Sequence, residues 1–325
     1  MPLRTSFSAL LAVAFLSVLL ADCSGSGGNA SAAPPTPTPS PTPTPALGNL
    51  YVANPDDGTN TVLKFTLPLS SGSSPVAQAP VPGGSFGNVN GVAVNAQFIA
   101  TLTSNGHVAL FAQPLTSTST PTVQFTLPQN AGQLTAFDGS GNLWTATGGG
   151  TFDEYKPPFS NGMSPALNTD NIDESTGIVF DTSGNLYITD GDRGKLFVFA
   201  PPSYTGTPIS VNLPGASGFS GASAIGDAII GTQIFIADSN DNVIVVFNLP
   251  VTASSTAAFS FAASSPAGTR LAGVASDSSG NLYVANNVFS NSKIFVFAPP
   301  FTAASVPAVT VSNGLSDPVG IAVGP

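Results

Sequence analysis

The chain writes one long phrase twice with little change. Asp181-Thr182-Ser183-Gly184-Asn185-Leu186-Tyr187-Ile188-Thr189-Asp190 leads to Lys195-Leu196-Phe197-Val198-Phe199-Ala200-Pro201-Pro202. Asp277-Ser278-Ser279-Gly280-Asn281-Leu282-Tyr283-Val284-Ala285-Asn286 leads to Lys293-Ile294-Phe295-Val296-Phe297-Ala298-Pro299-Pro300. A long repeat of steady period marks a stacked or circular array, in which no unit can bury a core alone.

Working outward, an aromatic residue beats through the chain at Tyr51, Phe98, Trp144, Tyr187, Phe235 and Tyr283, at intervals of 47, 46, 43, 48 and 48 residues. A four-stranded propeller blade repeats every 40–50 residues or so, and six beats predict six blades. Each unit keeps one order. A short apolar strand opens on a small residue, as in Gly91 to Val94, Gly177 to Phe180 and Gly273 to Ser276. A tight turn, a strand such as Asn281 to Ala285, a polar loop and a strand such as Lys293 to Phe297 follow. A proline pair or single proline then ends the third strand: Leu67-Pro68, Gln113-Pro114, Pro157-Pro158, Pro201-Pro202, Leu249-Pro250 and Pro299-Pro300. A weaker fourth strand completes the unit. Short runs of Val, Ile, Phe, Tyr and Thr between Gly, Pro, Asn and Ser are strand signals.

The turn Asp-x-Ser-Gly-Asn has a mechanical reading. Asp bonds the backbone two residues on, and Gly accepts a positive φ without steric cost. It stands at Asp138 to Asn142, Asp181 to Asn185 and Asp277 to Asn281. A calcium loop is the alternative, but the later bidentate Glu of a helix-flanked loop is missing. The two ends complement each other. Asp317 to Pro325 supplies only a first strand, and Leu47 to Asn54 begins a unit that lacks one. The expected fold is all-β: a six-bladed β-propeller of four-stranded antiparallel blades, closed by Ile321 to Val323 innermost in the blade of Tyr51.

On these residues the chain resembles the NHL-repeat propellers and the related gluconolactonase-like and strictosidine-synthase-like six-bladed proteins. Gly-Ile-Ala-Val, Asp-x-x-Gly-Asn, Leu-Tyr-Val-Ala-Asp/Asn and a basic residue before Ile-x-Val-Phe recur in three or four units across residues 47–325. The resemblance implies the fold. Propellers host many functions, so it is weak for activity.

Composition bounds the partners. Only 7% of residues are charged, 42% are hydrophobic, and the net charge is −10. An acidic chain without basic patches speaks against nucleic acid and against electrostatic binding to anionic lipid. Arg4 and the apolar run Ser8 to Leu20 read as a secretion signal, too short for a span. Leu20-Ala21-Asp22-Cys23 resembles a bacterial lipoprotein signal, which implies lipid attachment at Cys23; Asp22 departs from the small residue usual there. Ordinary cleavage near Ala30-Ser31-Ala32 is the alternative. Cys23 is the only cysteine, so no internal disulfide is possible. Pro34 to Pro45 reads PPTPTPSPTPTP and predicts an extended polyproline stalk, roughly 40 Å long at about 3.1 Å per residue. The organisation expected is a signal peptide over 1–22, a tether and stalk over 23–46, and a propeller over 47–325. The expected address is the bacterial cell envelope, with a secreted or periplasmic soluble protein as the alternative; the membrane is expected to be touched only through the lipid, and the protein to be a monomer.

Chemistry is sparse. The single histidine, His107, reads as an exposed turn residue, and no Gly-x-Ser-x-Gly turn offers a nucleophile. One His and no usable Cys disfavour zinc, which leaves calcium as the possible cofactor. The propeller geometry that the resemblance implies puts the loops entering first strands and the loops between second and third strands on one face. Those loops hold Asp170, Asp173, Glu174 and Asp317, then Asp56, Asp57, Asp190, Asp192, Asp238 and Asp241, ten of the chain's 17 acidic residues. Asp190, Asp192, Asp238 and Asp241 are the candidate metal ligands. Turn chemistry explains the same residues. Asn90, Gln133, Thr176, Ala272 and Val319 precede first strands and should rim the channel, with the fifth blade unaligned near Ser223. Glu174, Arg270 and Asp317 lie three positions earlier than their strands' first glycines and should stand above it. Glu174, Arg270, Asp317, Asn90 and Gln133 form the candidate ligand face. Phe65, Phe111, Tyr155, Phe199, Phe247 and Phe297 share one third-strand position and predict packing between blades. Phe86 and Phe219 fall in loops of the acidic face. The reading is a non-catalytic binding module for a protein, glycan or small molecule. The alternatives are a calcium-dependent lactonase, hydrolase or lyase, and a structural envelope protein.

Overall fold

The structure, a computed structural model, describes residues 48–56, 59–82, 87–129, 131–169, 172–214, 226–263, 270–288 and 290–325. Among them are 24 strands and no helix. The strands form six antiparallel sheets of four, one for each beat of the repeat.

Blade one runs from inside outward as Ile321–Gly324, Asn49–Asp56, Thr59–Thr66 and Ala77–Pro80. The inner strands of blades two to six are Val89–Val94, Gly132–Phe137, Ser175–Phe180, Asp227–Ile230 and Leu271–Ser276. Each inner strand packs on the next around a ring, and the sixth packs on the first. The six aromatic beats all lie in second strands, and the proline corners all follow third strands as cis X–Pro bonds.

Burial explains the patterns. Second strands such as Leu143–Thr147, Leu186–Asp190 and Leu282–Asn286 are buried at every residue because a neighbouring blade covers each face. Fourth strands such as Ala77–Pro80 alternate buried and exposed, since water meets one side. The apolar clusters belong to junctions rather than to blades. Leu50 and Phe65 of blade one pack with Tyr283 and Val296 of blade six. Tyr51 and Val62 on its other face pack with Val92 and Phe111 of blade two. A blade alone would expose both faces, which is why the unit must repeat.

Ring closure follows the complementarity of the ends. Ile321–Gly324 pairs antiparallel with the start of Asn49–Asp56, Val52 opposite Ile321 and Asn49 opposite Gly324. The Tyr51 hydroxyl donates to the Pro325 carbonyl at 2.7 Å. Backbone bonds join the inner ring: Gly320 N–H to Asn90 O at 2.7 Å and Gly273 N–H to Val319 O at 2.8 Å. A Cβ on Gly320 would stand 2.5 Å from Asn90 O, so this approach requires glycine.

The repeated turn does more than reverse the chain. Gly141, Gly184 and Gly280 have φ of 82°, 82° and 80°. Asp181 Oδ1 accepts the N–H of Ser183 and of Asn185, each at 2.9 Å. Its Oδ2 accepts Asn185 Nδ2 at 2.8 Å and the Tyr187 hydroxyl at 3.1 Å. Asp277 holds Tyr283 the same way at 2.8 Å, and Asp138 holds Trp144 Nε1 at 3.1 Å. In these three blades the beat aromatic is thus fixed at its polar tip by the turn that precedes it. Burial and the Asp181 charge push the Tyr187 phenol well above its usual range.

His107 corrects the sequence reading. It opens the third strand of blade two, His107–Ala112, and is 4% exposed. Burial lowers its pKa and keeps the imidazole neutral at pH 7.

Candidate functional site

Strands alternate direction within a blade, so inner strands begin where second strands end. This is the entry face. The Asp-x-Ser-Gly-Asn turns lie on the opposite, exit face.

A polar cleft of about 320 Å³ opens at the entry end of the channel. Asn88 and Asn90 enter it from blade two, Gln133 from blade three, Arg270 and Asn287 from blade six, and Asp317 from the loop into blade one. Leu271, Ala272, Val319 and Pro55 complete the wall. Asn286 Oδ1 accepts the Arg270 N–H at 3.0 Å, and the Arg270 carbonyl accepts the Asn287 N–H at 2.8 Å. Asn54 Oδ1 accepts the N–H groups of Ser316 and Asp317 at 3.0 and 3.3 Å. Asn90 Nδ2 donates to the Gly132 carbonyl at 3.1 Å, which directs its amide nitrogen at blade three. Asn90, Gln133, Arg270 and Asp317 thus share one cleft. Asn88 and Asn287 join them, and only the folded loops bring those two in.

Glu174 is elsewhere, in the loop entering blade four. It is 7% exposed. Burial, then Asp192 and Asp190, push its carboxyl up to about 7. Beside it, Asp173 pairs with Arg193. Asp190 accepts the N–H of Asp173 at 3.0 Å and of Arg193 at 2.9 Å. Asp238 accepts the N–H of Asn240 at 2.9 Å and of Asp241 at 3.1 Å. The four candidate metal ligands therefore sit in two turns of adjacent blades, with Asp190 and Asp238 bound to backbone amides. Among the described residues no three His, Cys, Asp or Glu come together as a metal-holding group. Cys23, Asp57, Phe86, Asp170, Phe219 and Ser223 lie outside the described residues.

The fifth blade supplies a residue that the sequence reading missed. Its inner strand is Asp227–Ile230, paired so that Asp227 faces Ile236. The matching pairs are Ile321 with Val52, Ile178 with Ile188, Val92 with Thr101, Val274 with Val284 and Thr135 with Thr145. A carboxyl occupies a position that is Ile, Val or Thr in every other blade. The Thr189 hydroxyl donates to Asp227 Oδ1 at 2.6 Å, while Oδ2 makes no hydrogen bond. The residue is 7% exposed, and burial pushes its pKa up to about 7. Asp227 lines a cavity of about 360 Å³ in the channel, toward the exit face. The signal was hidden because this blade lacks the long turn. Ile230 pairs with Gln233 across only Gly231 and Thr232, so the usual spacing back from Phe235 fails by one residue.

No protein-family model matches the sequence, and no curated protein matches it. Solved structures do resemble the fold. A Bacteroides caccae protein of unknown function superposes with a TM-score of 0.62 at 14% identity, covering 86% of this chain and 99% of that one. The periplasmic gluconolactonase of Pseudomonas aeruginosa gives 0.57 at 13% identity, covering 82% and 83%. A candidate 6-phosphogluconolactonase from Bacteroides uniformis gives 0.56 at 13%, with the same coverage. At such identity the likeness establishes the propeller fold and nothing finer.

Proposed function

We propose that this chain is an exported, lipid-anchored propeller that displays a non-catalytic binding site, and that the entry-face cleft holds a polyhydroxylated ligand such as the end of a glycan. The observation that carries the reading is the cleft's side-chain set. Four carboxamides, each both donor and acceptor, surround one guanidinium and one carboxylate. Such a set matches hydroxyl groups, which also donate and accept, better than it matches an apolar or multiply charged molecule. The signal-like N-terminus, Cys23 and the proline stalk support display at the envelope.

The test is a glycan binding screen with residues 47–325, followed by titration of any hit against Arg270→Ala and Gln133→Ala. Saturable binding weakened tenfold or more in both variants supports the cleft. Binding unchanged in both removes it. Flotation of the full chain with lipid vesicles, lost in Cys23→Ser, tests the anchor separately.

Hydrolysis of a sugar lactone is the second reading. The Pseudomonas gluconolactonase shares the fold, and a general base for water attack must titrate near neutrality. Glu174 is a carboxyl of that kind on the entry face. Ring opening of a δ-lactone, abolished in Glu174→Gln, would favour this reading over simple binding. Rates equal to buffer would exclude it for that substrate.

A further inference from the structure

The channel cavity on the exit side is distinct from the entry-face cleft in residues and in character. Its volume of about 360 Å³ is at the small end for small-molecule sites. Val94, Phe137, Phe180, Ile229 and Val323 line it from one equivalent position in five blades, and Ser276 from the sixth. Asp227 is the only titratable residue on its wall, and it turns its carboxyl away. Oδ1 accepts the Thr189 hydroxyl, and both oxygens stand over Gly177 in the junction with blade four. The wall therefore offers a ligand no charge.

It does offer backbone. In an antiparallel pair, alternate residues aim both N–H and C=O at the partner strand, and the residues between aim both away. The N–H groups of Asn95, Asp138, Asp181 and Asp277 bond the carbonyls of Phe98, Asn142, Asn185 and Asn281 in their second strands. The residues just before them, Val94, Phe137, Phe180 and Ser276, therefore turn N–H and C=O the other way. Every inner strand is the edge of its sheet, so those groups face the channel. Four blades thus present amide donors and acceptors beside apolar side chains.

We propose that this cavity binds a small neutral amide with an apolar body, such as a cyclic dipeptide, its amide edge on the inner-strand backbone and its apolar part against the lining side chains. An ion would lose its water there without meeting a counter-charge, which is costly. A pure hydrocarbon would strip water from N–H and C=O groups without replacing it. An amide carries one donor and one acceptor, as the strand edge does, and pairs with it as an added strand pairs with a sheet.

The test is thermal unfolding of the full chain with the cyclic dipeptide of leucine and phenylalanine. Two controls keep its side chains: the linear dipeptide, with both termini charged, and the N,N′-dimethylated ring, with no amide donor. A ligand of the native state raises Tm saturably by mass action. The expected result is a saturable rise with the cyclic dipeptide and little or none with either control. Val94→Trp and Ile229→Trp fill the cavity from opposite blades, so each should lose the response, with its own ligand-free Tm as the folding control. Arg270→Ala, in the other cleft, should respond as the parent does. The proposal is overturned by no saturable rise with the cyclic dipeptide, by an equal rise with either control, by an unchanged response in a folded tryptophan variant, or by loss of the response in Arg270→Ala.

Discussion

The carboxylate of Asp227 fills the space that glycine leaves at Gly177 in the neighbouring blade. A Cβ on Gly177 would fall against that carboxylate, 2.6 Å from Cγ and 2.7 Å from Oδ1. Elsewhere in the ring the corresponding glycines meet backbone of the next blade, as Gly273 meets Val319 and Gly320. At Gly177 alone among these the space is taken by a side chain, so the two residues are coupled.

Gly177→Ala should therefore destabilise the domain by about 1–3 kcal/mol through overpacking. In an Asp227→Ala background the same change should cost far less, because the clashing atoms are gone. Urea denaturation of the four proteins in a double-mutant cycle checks this. Additive effects would remove the coupling.

Two buried carboxyls give stability a defined pH dependence. Asp227 and Glu174 have native pKa values raised to about 7 from ordinary carboxylate values. The native state then holds protons that the unfolded chain has released. Their contribution is fully present below about pH 4 and declines as pH rises to about 7, at up to about 1.4 kcal/mol per pH unit for each group. Asp227→Asn and Glu174→Gln should each remove part of that slope. Unfolding measured from pH 4 to 8 reads it, and a variant slope equal to wild type would contradict the assignment for that residue.

The Gly184 turn isolates backbone strain from packing. Its φ is 82°, and a new Cβ would meet nothing nearer than 3.8 Å. Gly184→Ala should cost about 1–2 kcal/mol through the left-handed conformation alone. An unchanged chemical-denaturation midpoint would count against the turn geometry.

Removal of Gly320 to Pro325 deletes the inner strand of blade one, its pairing with Asn49–Asp56 and the Gly320 bond to blade two. The shortened protein should unfold at a clearly lower temperature or fail to fold. A soluble product with the parent Tm would refute closure by this strand.

Much of the architecture was legible because each blade solves the same local problem. Asp, Gly and Asn at fixed offsets announce the turn, and the aromatic after them announces the buried second strand. The termini of the chain announced their own pairing through what each half-unit lacked. What escaped was Asp227, since a two-residue turn broke the spacing in the fifth blade. His107 stands beside a turn glycine, where a polar residue reads as exposed, yet it opens a strand paired on both sides and is buried.

The sequence by itself determined the number of blades, their strand order and the pairing of the two ends. These depend on contacts repeated at a steady period, and periodicity is visible in one dimension. Only the tertiary structure decided which polar residues meet. Arg270 and Asn90 lie 180 positions apart yet share a cleft because the ring sets blades six, one and two side by side. Asp227 is buried and perturbed only because Gly177 of the next blade makes room for it. A site assembled from single residues on several blades has no period of its own, and its geometry exists only once the ring is closed.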